Sequence, residues 1–499
     1  MKKELLVNVT PPETRAAITE DGRAVEVFHE RRGRQGLVGN VYLGRVHRVL
    51  PGMHAAFVSI GLDRDAFLYV EDAVPRAVDV DGEEAADEAS PESRAALAAR
   101  PKIDDLLREG EDLVVQVTKD PLAGKGPRVT ANISLPGRTL VHLPRAREIG
   151  VSRRISDEAE RERLRRILED FGPEGGYIAR TAAEGHGVED FLADRRYLTD
   201  LATHLTRKAE HASAPLLLHR ELDLPLRLAR DLVTPDFAAI RVDDEETRHR
   251  LTEFLRAVAP PLANRVELYN RPEPLFEVFG VEAEIDAALG SRVYLSSGGS
   301  VVIHQTEALV AIDVNTGKYV GTDALEETVF ATNLEAVVEV ARQIRLRDLG
   351  GLLVVDFIDM EDAGHRQEVL ERFQAELGKD RARTRVLPLS EFGLIEITRQ
   401  RSRGNLEKTL TRRCPACEGS GRVRSDLTAA LDLRRELLAS PGVNLPGETV
   451  RIRVNPSLAE LLTADEPDLL ADVEKRLGVK LELLADETAG PAEFEILNG

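Results

Sequence analysis

The sequence predicts a multidomain α/β protein with an inserted β-barrel, and three observations carry that expectation. At 499 residues the chain is too long for one hydrophobic core. Two short apolar segments, Ala311-Ile312-Asp313-Val314-Asn315-Thr316-Gly317 and Leu353-Val354-Val355-Asp356-Phe357-Ile358-Asp359, carry carboxylates at their ends and flank a long helical pattern. That order reads strand, helix, strand. Residues 36–130 hold short, closely spaced strands broken by glycine, the signature of a small closed barrel.

Taken in order, residues 1–35 read as paired strands around a Glu20-Asp21-Gly22 turn. The barrel strands are Val41–Val46, Ala55–Gly61, Asp65–Val70 and Asp112–Val117. Residues 77–93 hold seven acids and no base, too little apolar surface to fold, and are expected to form a mobile loop. Residues 131–222 mix strands with a charged helix near Asp157–Leu168, and residues 223–290 form an α/β segment able to complete the amino-terminal strands. Within 291–400, amphipathic helices are expected near Ala324–Leu346 and Asp362–Leu377. Residues 425–499 make a small α/β unit with strands at Val450–Val454 and Val479–Leu483.

Composition narrows the class. No apolar run approaches a membrane span, and the first residues lack a signal-peptide core. Two cysteines exclude a disulfide framework, and cytoplasmic placement is expected. A net charge of -20 does not exclude nucleic acid, because residues 399–424 hold eight Arg or Lys against two Glu. The segment around Lys125 lacks the spacing and following Ser/Thr of a phosphate-binding loop, which sets aside a nucleotide triphosphatase.

Four groups of residues carry chemistry. Asp313 and Asp356 would meet at one edge of a parallel sheet, where carboxylates suit Mg²⁺ and metal-assisted phosphodiester hydrolysis. Asn315 would hold an Asp or a metal-bound water through its amide, and a structural salt bridge is the expected role of Asp359. Arg180 and Thr181, directly after a strand, pair a charge-assisted fork with a hydroxyl, a combination that grips phosphate. Phe57 and Phe67 would stack bases on the barrel or, more plainly, fill its core. Cys414-Pro415-Ala416-Cys417, followed by Gly419 and Gly421, supplies half of a tetrahedral zinc site. With no further cysteine, and no histidine beyond His365, a second copy of the chain completes it most economically. A redox pair is the rival, disfavoured by the arginine-rich surroundings.

The ordered motifs resemble those of the bacterial ribonuclease E/G family over essentially the whole chain, nearest to its ribonuclease G branch. They include Glu4–Pro11, Arg48–Met53, Arg180–Gly185, Asn333–Ala336, Asp356–Met360 and the cysteine knuckle. The resemblance implies a single-strand-specific, Mg²⁺-dependent endoribonuclease leaving 5′-phosphate and 3′-hydroxyl ends, stimulated by a substrate 5′-monophosphate and acting in rRNA maturation and mRNA decay. It implies that Asp313 and Asp356 hold Mg²⁺, that Asn315 orients the site, and that Cys414 and Cys417 bind zinc shared between two protomers. It further implies a 5′-phosphate pocket of Gly137, Val141, Arg180 and Thr181, and RNA contacts by Phe57, Phe67 and Lys125.

The implied architecture is an RNase H-like piece split between 1–35 and 223–290, with an OB-fold (36–130) and a 5′-sensor region (131–222) inserted. A DNase I-like catalytic subdomain (291–410), a zinc link (411–424) and a small dimerisation domain (425–499) follow. A homodimer is expected, with a tetramer left open, and no membrane segment or carboxy-terminal degradosome scaffold. The alternative function is a non-catalytic RNA-binding or ribosome-assembly factor. A zinc-knuckle interaction protein is a third.

Overall fold

The computed structural model describes residues 2–32, 36–74, 102–121, 125–155, 157–172, 175–317, 325–388, 390, 393–400, 405–439 and 447–497. The acidic stretch 77–93 lies outside the described residues. The chain forms two compact units, Met1–Thr409 and Leu410–Gly499. Among the described residues no helix is long and apolar enough to cross a membrane.

The first unit opens with β1 (Lys3–Val9), β2 (Glu13–Glu20) and β3 (Arg23–Arg31). Asp21 and Gly22, both with positive φ, make the two-residue turn between β2 and β3. Next come β4 (Val41–Leu50), β5 (Ala55–Ser59), β6 (Ala66–Tyr69), β7 (Asp112–Lys119) and β8 (Arg128–Thr130). They close in the order β4-β5-β6-β8-β7, with β7 returning to β4, a five-stranded barrel consistent with an OB-like fold. Closure leaves these five strands no free edge against one another. A second small sheet holds β9 (Leu135–Pro136), β10 (Leu140–Leu143), β11 (Ile149–Val151) and β12 (Gly176–Ala179). Strand β13 (Leu216–His219) joins the barrel beside β4.

The chain then returns to its start. Strand β14 (Phe237–Val242) pairs parallel with β1, and β15 (Val266–Leu268) adds beyond it. The sheet order β15-β14-β1-β2-β3 therefore joins segments on either side of the barrel and the second sheet.

The largest apolar core lies behind a six-stranded sheet of β16 (Arg292–Tyr294), β17 (Ser300–Gln305), β18 (Leu309–Asn315), β19 (Gly351–Asp356), β20 (Thr384–Val386) and β21 (Leu394–Arg399). Its order is β16-β17-β18-β19-β21-β20, and only β18–β19 is parallel. A parallel neighbour needs a crossover, here the helix Leu325–Leu346. Period-two alternation sends Val310, Ile312, Val314, Leu353 and Val355 into this core, where Val337, Val340, Ile344 and Phe373 of the covering helices meet them. Arg345 pairs with Glu20 and Glu26 at 3.0 and 3.2 Å, and Arg342 donates to the Ala24 carbonyl at 2.8 Å. These contacts pin the crossover helix to β2 and β3.

The second unit pairs β22 (Thr449–Val454) parallel with β23 (Lys480–Ala485) and antiparallel with β24 (Phe494–Leu497). The helix Asp426–Ala439 packs Leu433 and Leu437 into its core.

Ile312 backs Asp313 from the core side. Ile312→Ala should destabilise the first unit by about 2–5 kcal/mol through lost burial and a cavity. The urea midpoint of that unit's transition reads this, and an unmoved midpoint would contradict the packing.

Candidate functional site

The register of β18 against β19 places Asp313 directly opposite Asp356. Neighbouring strands lie about 4.8 Å apart, and paired residues face the same way. Both carboxylates are exposed, on the sheet face opposite the core. Asn315, two residues beyond Asp313 and so on the same face, donates from Nδ2 to Asp313 Oδ2 at 2.7 Å. Burial, then the charge of Asp313, then that of Asp359 push the Asp356 carboxyl above its ordinary range. Crowded like charges of this kind are what a divalent cation relieves. Two carboxylates and an amide also match the few protein oxygens that Mg²⁺ takes. Among the described residues, no group of three or more His, Cys, Asp or Glu is arranged to hold a metal.

Asp359 departs from expectation. Among the described residues it makes no ion pair; it is exposed and acts on Asp356 through its charge. The strand ends at Asp356, and the chain turns before Asp359. Asn333, fully buried on the crossover helix, fixes that turn. Its amide donates to Ile358 O at 2.8 Å and accepts from Ile358 N at 3.1 Å.

Gly137, Val141, Arg180 and Thr181 gather around the β9–β10 turn and the end of β12. Val141 pairs with Ile178 and Pro136. The Arg180 amide donates to Thr139 O at 2.8 Å, and its Nη1 donates to Gly137 O. The same Nη1 lies 2.7 Å from Asp231 Oδ1. Thr181 Oγ1 sits 3.0 Å from Ser152 Oγ. Gly137 is required sterically, since a Cβ there would stand 2.5 Å from both carboxylate oxygens of Asp194. Asp194 is buried and accepts from the Arg138, Thr139 and Leu140 amides, which fixes the turn.

On the barrel, Phe57 pairs with Phe67 across β5–β6, their ring centroids 5.5 Å apart and edge to face. Both are half-buried, alternating with the buried Ala56, Val58, Ala66 and Leu68, so they stand on the outer face. Tyr69, exposed, continues the row at 4.6 Å from Phe67, with the Arg128 guanidinium 4.7 Å over its ring. Tyr69 and Arg128 were not anticipated; the alternation Phe67-Leu68-Tyr69 was the signal. Lys125 is exposed. Gly126 beside it packs so tightly that a Cβ would strike Asp65 O at 1.9 Å, and Phe67 N donates to Pro127 O.

In the second unit, Cys414 is exposed and Cys417 half-buried. Glu418 N donates to Cys414 O, and Ser420 N to Cys417 O, both at 2.8 Å. Positive φ at Glu418, Gly419 and Gly421 curls the segment into a knuckle. The Cys417 and Ala416 amides and the Cys417 thiol hold the Cys414 thiol below its usual range. A thiolate so favoured suits a soft metal.

The ribonuclease E/G family model matches residues 134–402, and a ribonuclease E/G thioredoxin-like domain model matches residues 413–499. Ribonuclease G of Escherichia coli (strain K12) is 41% identical over 498 residues, covering 100% of each chain. Ribonuclease G of Haemophilus influenzae is 40% identical over 496 residues, 99% of each. Ribonuclease E of E. coli (strain K12) is 34% identical over 501 residues, 99% of this chain and 46% of that one. With agreement of this extent along its whole length, the chain belongs to the ribonuclease E/G family.

Proposed function

We propose that the chain cleaves single-stranded RNA internally at a site built on Asp313 and Asp356, leaving 5′-phosphate and 3′-hydroxyl ends. Its class, an endoribonuclease of the ribonuclease E/G type, follows from the family and sets aside the non-catalytic alternative. The observation that carries the site assignment is the opposition of Asp313 and Asp356 across the β18–β19 register. In this reading Asp313 and Asp356 hold one Mg²⁺, and Asn315 fixes the Asp313 carboxylate through its 2.7 Å hydrogen bond. When bound, Mg²⁺ supplies a Lewis acid for the phosphoryl oxygens and lowers the pKa of an attacking water.

Other residues deliver the strand. The outward aromatic row of Phe57 and Phe67 supports a single-stranded RNA track, Tyr69 with Arg128 extends it, and the exposed Lys125 is assigned to the same track. The turn formed by Gly137, Val141, Arg180 and Thr181 is assigned to the RNA 5′-monophosphate, which raises the local concentration of the rest of the strand at the carboxylates. Cys414 and Cys417 are assigned to a zinc shared by two chains, giving a homodimer. The sheet containing β1 and β14 is read as RNase H-like, and the one containing β18 and β19 as DNase I-like. Roles in rRNA maturation and mRNA decay, in the cytoplasm, complete the reading.

Asp313→Asn and Asp356→Asn keep the side-chain shape and remove the ligand charge. Each should lower Mg²⁺-dependent cleavage of a labelled single strand by about a thousandfold, since several kcal/mol of metal stabilisation are at stake. Binding of the strand should persist, and cleavage surviving either change would refute the assignment. Without metal, Asp313→Asn should also move the Asp356 titration midpoint down, because a like charge that disfavours its ionised form is gone. Carboxyl ¹³C NMR reads that midpoint; an upward shift would contradict the geometry. Replacing Cys414 or Cys417 by Ser should release zinc and halve the solution mass. An unchanged mass by light scattering would count against the shared site.

A further inference from the structure

We propose that Asp231 is the positioning residue for Arg180, tethering the guanidinium by one nitrogen so that its opposite edge faces an RNA 5′-monophosphate. The inference rests on the 5′-phosphate reading above and adds a residue from a separate element, the helix Leu224–Asp231.

An arginine carries five N–H groups in a planar fork. In Arg180, Nη1 serves both protein partners, Gly137 O and Asp231 Oδ1. Among the described residues, Nε and Nη2 make no hydrogen bond, and the side chain is 23% exposed. These two nitrogens form the edge that grips a phosphate with two parallel bonds. The protein therefore holds the guanidinium from behind and leaves its recognising edge to solvent.

The tether is itself rigid. Arg230 forks onto Asp231, with Nε to Oδ1 and Nη2 to Oδ2 both at 3.0 Å. Arg230 is buried, and its Nη1 donates to Glu221 Oε1 at 2.7 Å and to Pro136 O at 3.3 Å. Arg180 and Arg230 thus each hold one carbonyl of the same turn, that of Gly137 and of Pro136. Burial would raise the Asp231 carboxyl, but Arg180 and Arg230 outweigh it and hold it below the ordinary range, so it stays ionised. Two guanidiniums and two carboxylates cancel within the cluster. Recognition then depends on where the free edge points, because the charges of these four groups balance.

A competing role would make Asp231 a stand-in anion that the phosphate must displace, and the two roles predict opposite changes. The test measures binding of a cleavage-resistant 5′-monophosphorylated oligonucleotide and its 5′-hydroxyl twin to the full-length chain. Asp231→Asn should lower the ratio of the two affinities by about tenfold, the scale of one charge-assisted hydrogen bond. With cleavable RNA, the loss should appear in KM for the monophosphorylated strand, with kcat retained. Arg180→Lys, which can still reach Asp231 but has no second edge, should lose the ratio as fully as Arg180→Ala. The proposal is overturned if Asp231→Asn leaves the ratio intact, raises it, or weakens both strands alike. It is also overturned if Arg180→Lys keeps the ratio. If Arg180→Ala itself leaves the ratio untouched, the 5′-phosphate reading falls first. If Arg180→Ala abolishes it and Asp231→Asn does not, only the tether fails.

Discussion

Strands β18 and β19 run parallel with Asp313 opposite Asp356, and the candidate site exists because of that alignment. A slip of one residue would turn one carboxylate into the core and bring Val355 or Ile312 out to water. The alternation that prevents the slip is strict, with Val310, Ile312 and Val314 inward on one strand and Leu353 and Val355 inward on the other. The apolar face fixes the register, and the register fixes the acids. The crossover helix takes part in both, since it seals the core with Val337 and Val340 and holds the turn after β19 through Asn333.

Charge is handled differently at the two ends of the proposed chemistry. At the carboxylate edge negative groups are brought together, and among the described residues their one hydrogen-bond partner is the Asn315 amide; partial burial and then the like charges hold Asp356 above its ordinary range. Around Arg180 the opposite holds: Arg180, Arg230, Asp231 and Glu221 are paired with one another, and Arg230 and Asp231 are locked by a two-nitrogen fork. An edge that accumulates unanswered charge invites a cation. A cluster that answers its own charge selects by shape, through whichever donors it leaves free.

What could be read from the sequence tracks the range of the interaction concerned. The Asp21-Gly22 hairpin, the alternation around Asp313 and the helix capped by Asp157 are local patterns, and the chain folds as they read. The opposition of Asp313 and Asp356 was legible too, because a strand, a helix and a strand leave a parallel pair few arrangements. The arginine network was not. Residues 223–290 read only as an α/β segment, and nothing local says that Arg230 is buried. The salt bridge expected of Asp359 finds no partner among the described residues, and its charge acts instead on Asp356. Tyr69 escaped because its place in the aromatic row depends on the pairing of β6 with β5, and on Arg128 arriving from β8.

Joint grip on one cation by the two opposed acids is tested most directly by calorimetric titration of Mn²⁺ into the wild-type chain, each single Asp→Asn variant at 313 and 356, and the double variant. If the acids share an ion, each single change should remove the same binding event, and the double change should remove nothing more. Two independent, additive losses, or a single variant that binds like the wild type, would contradict the shared site.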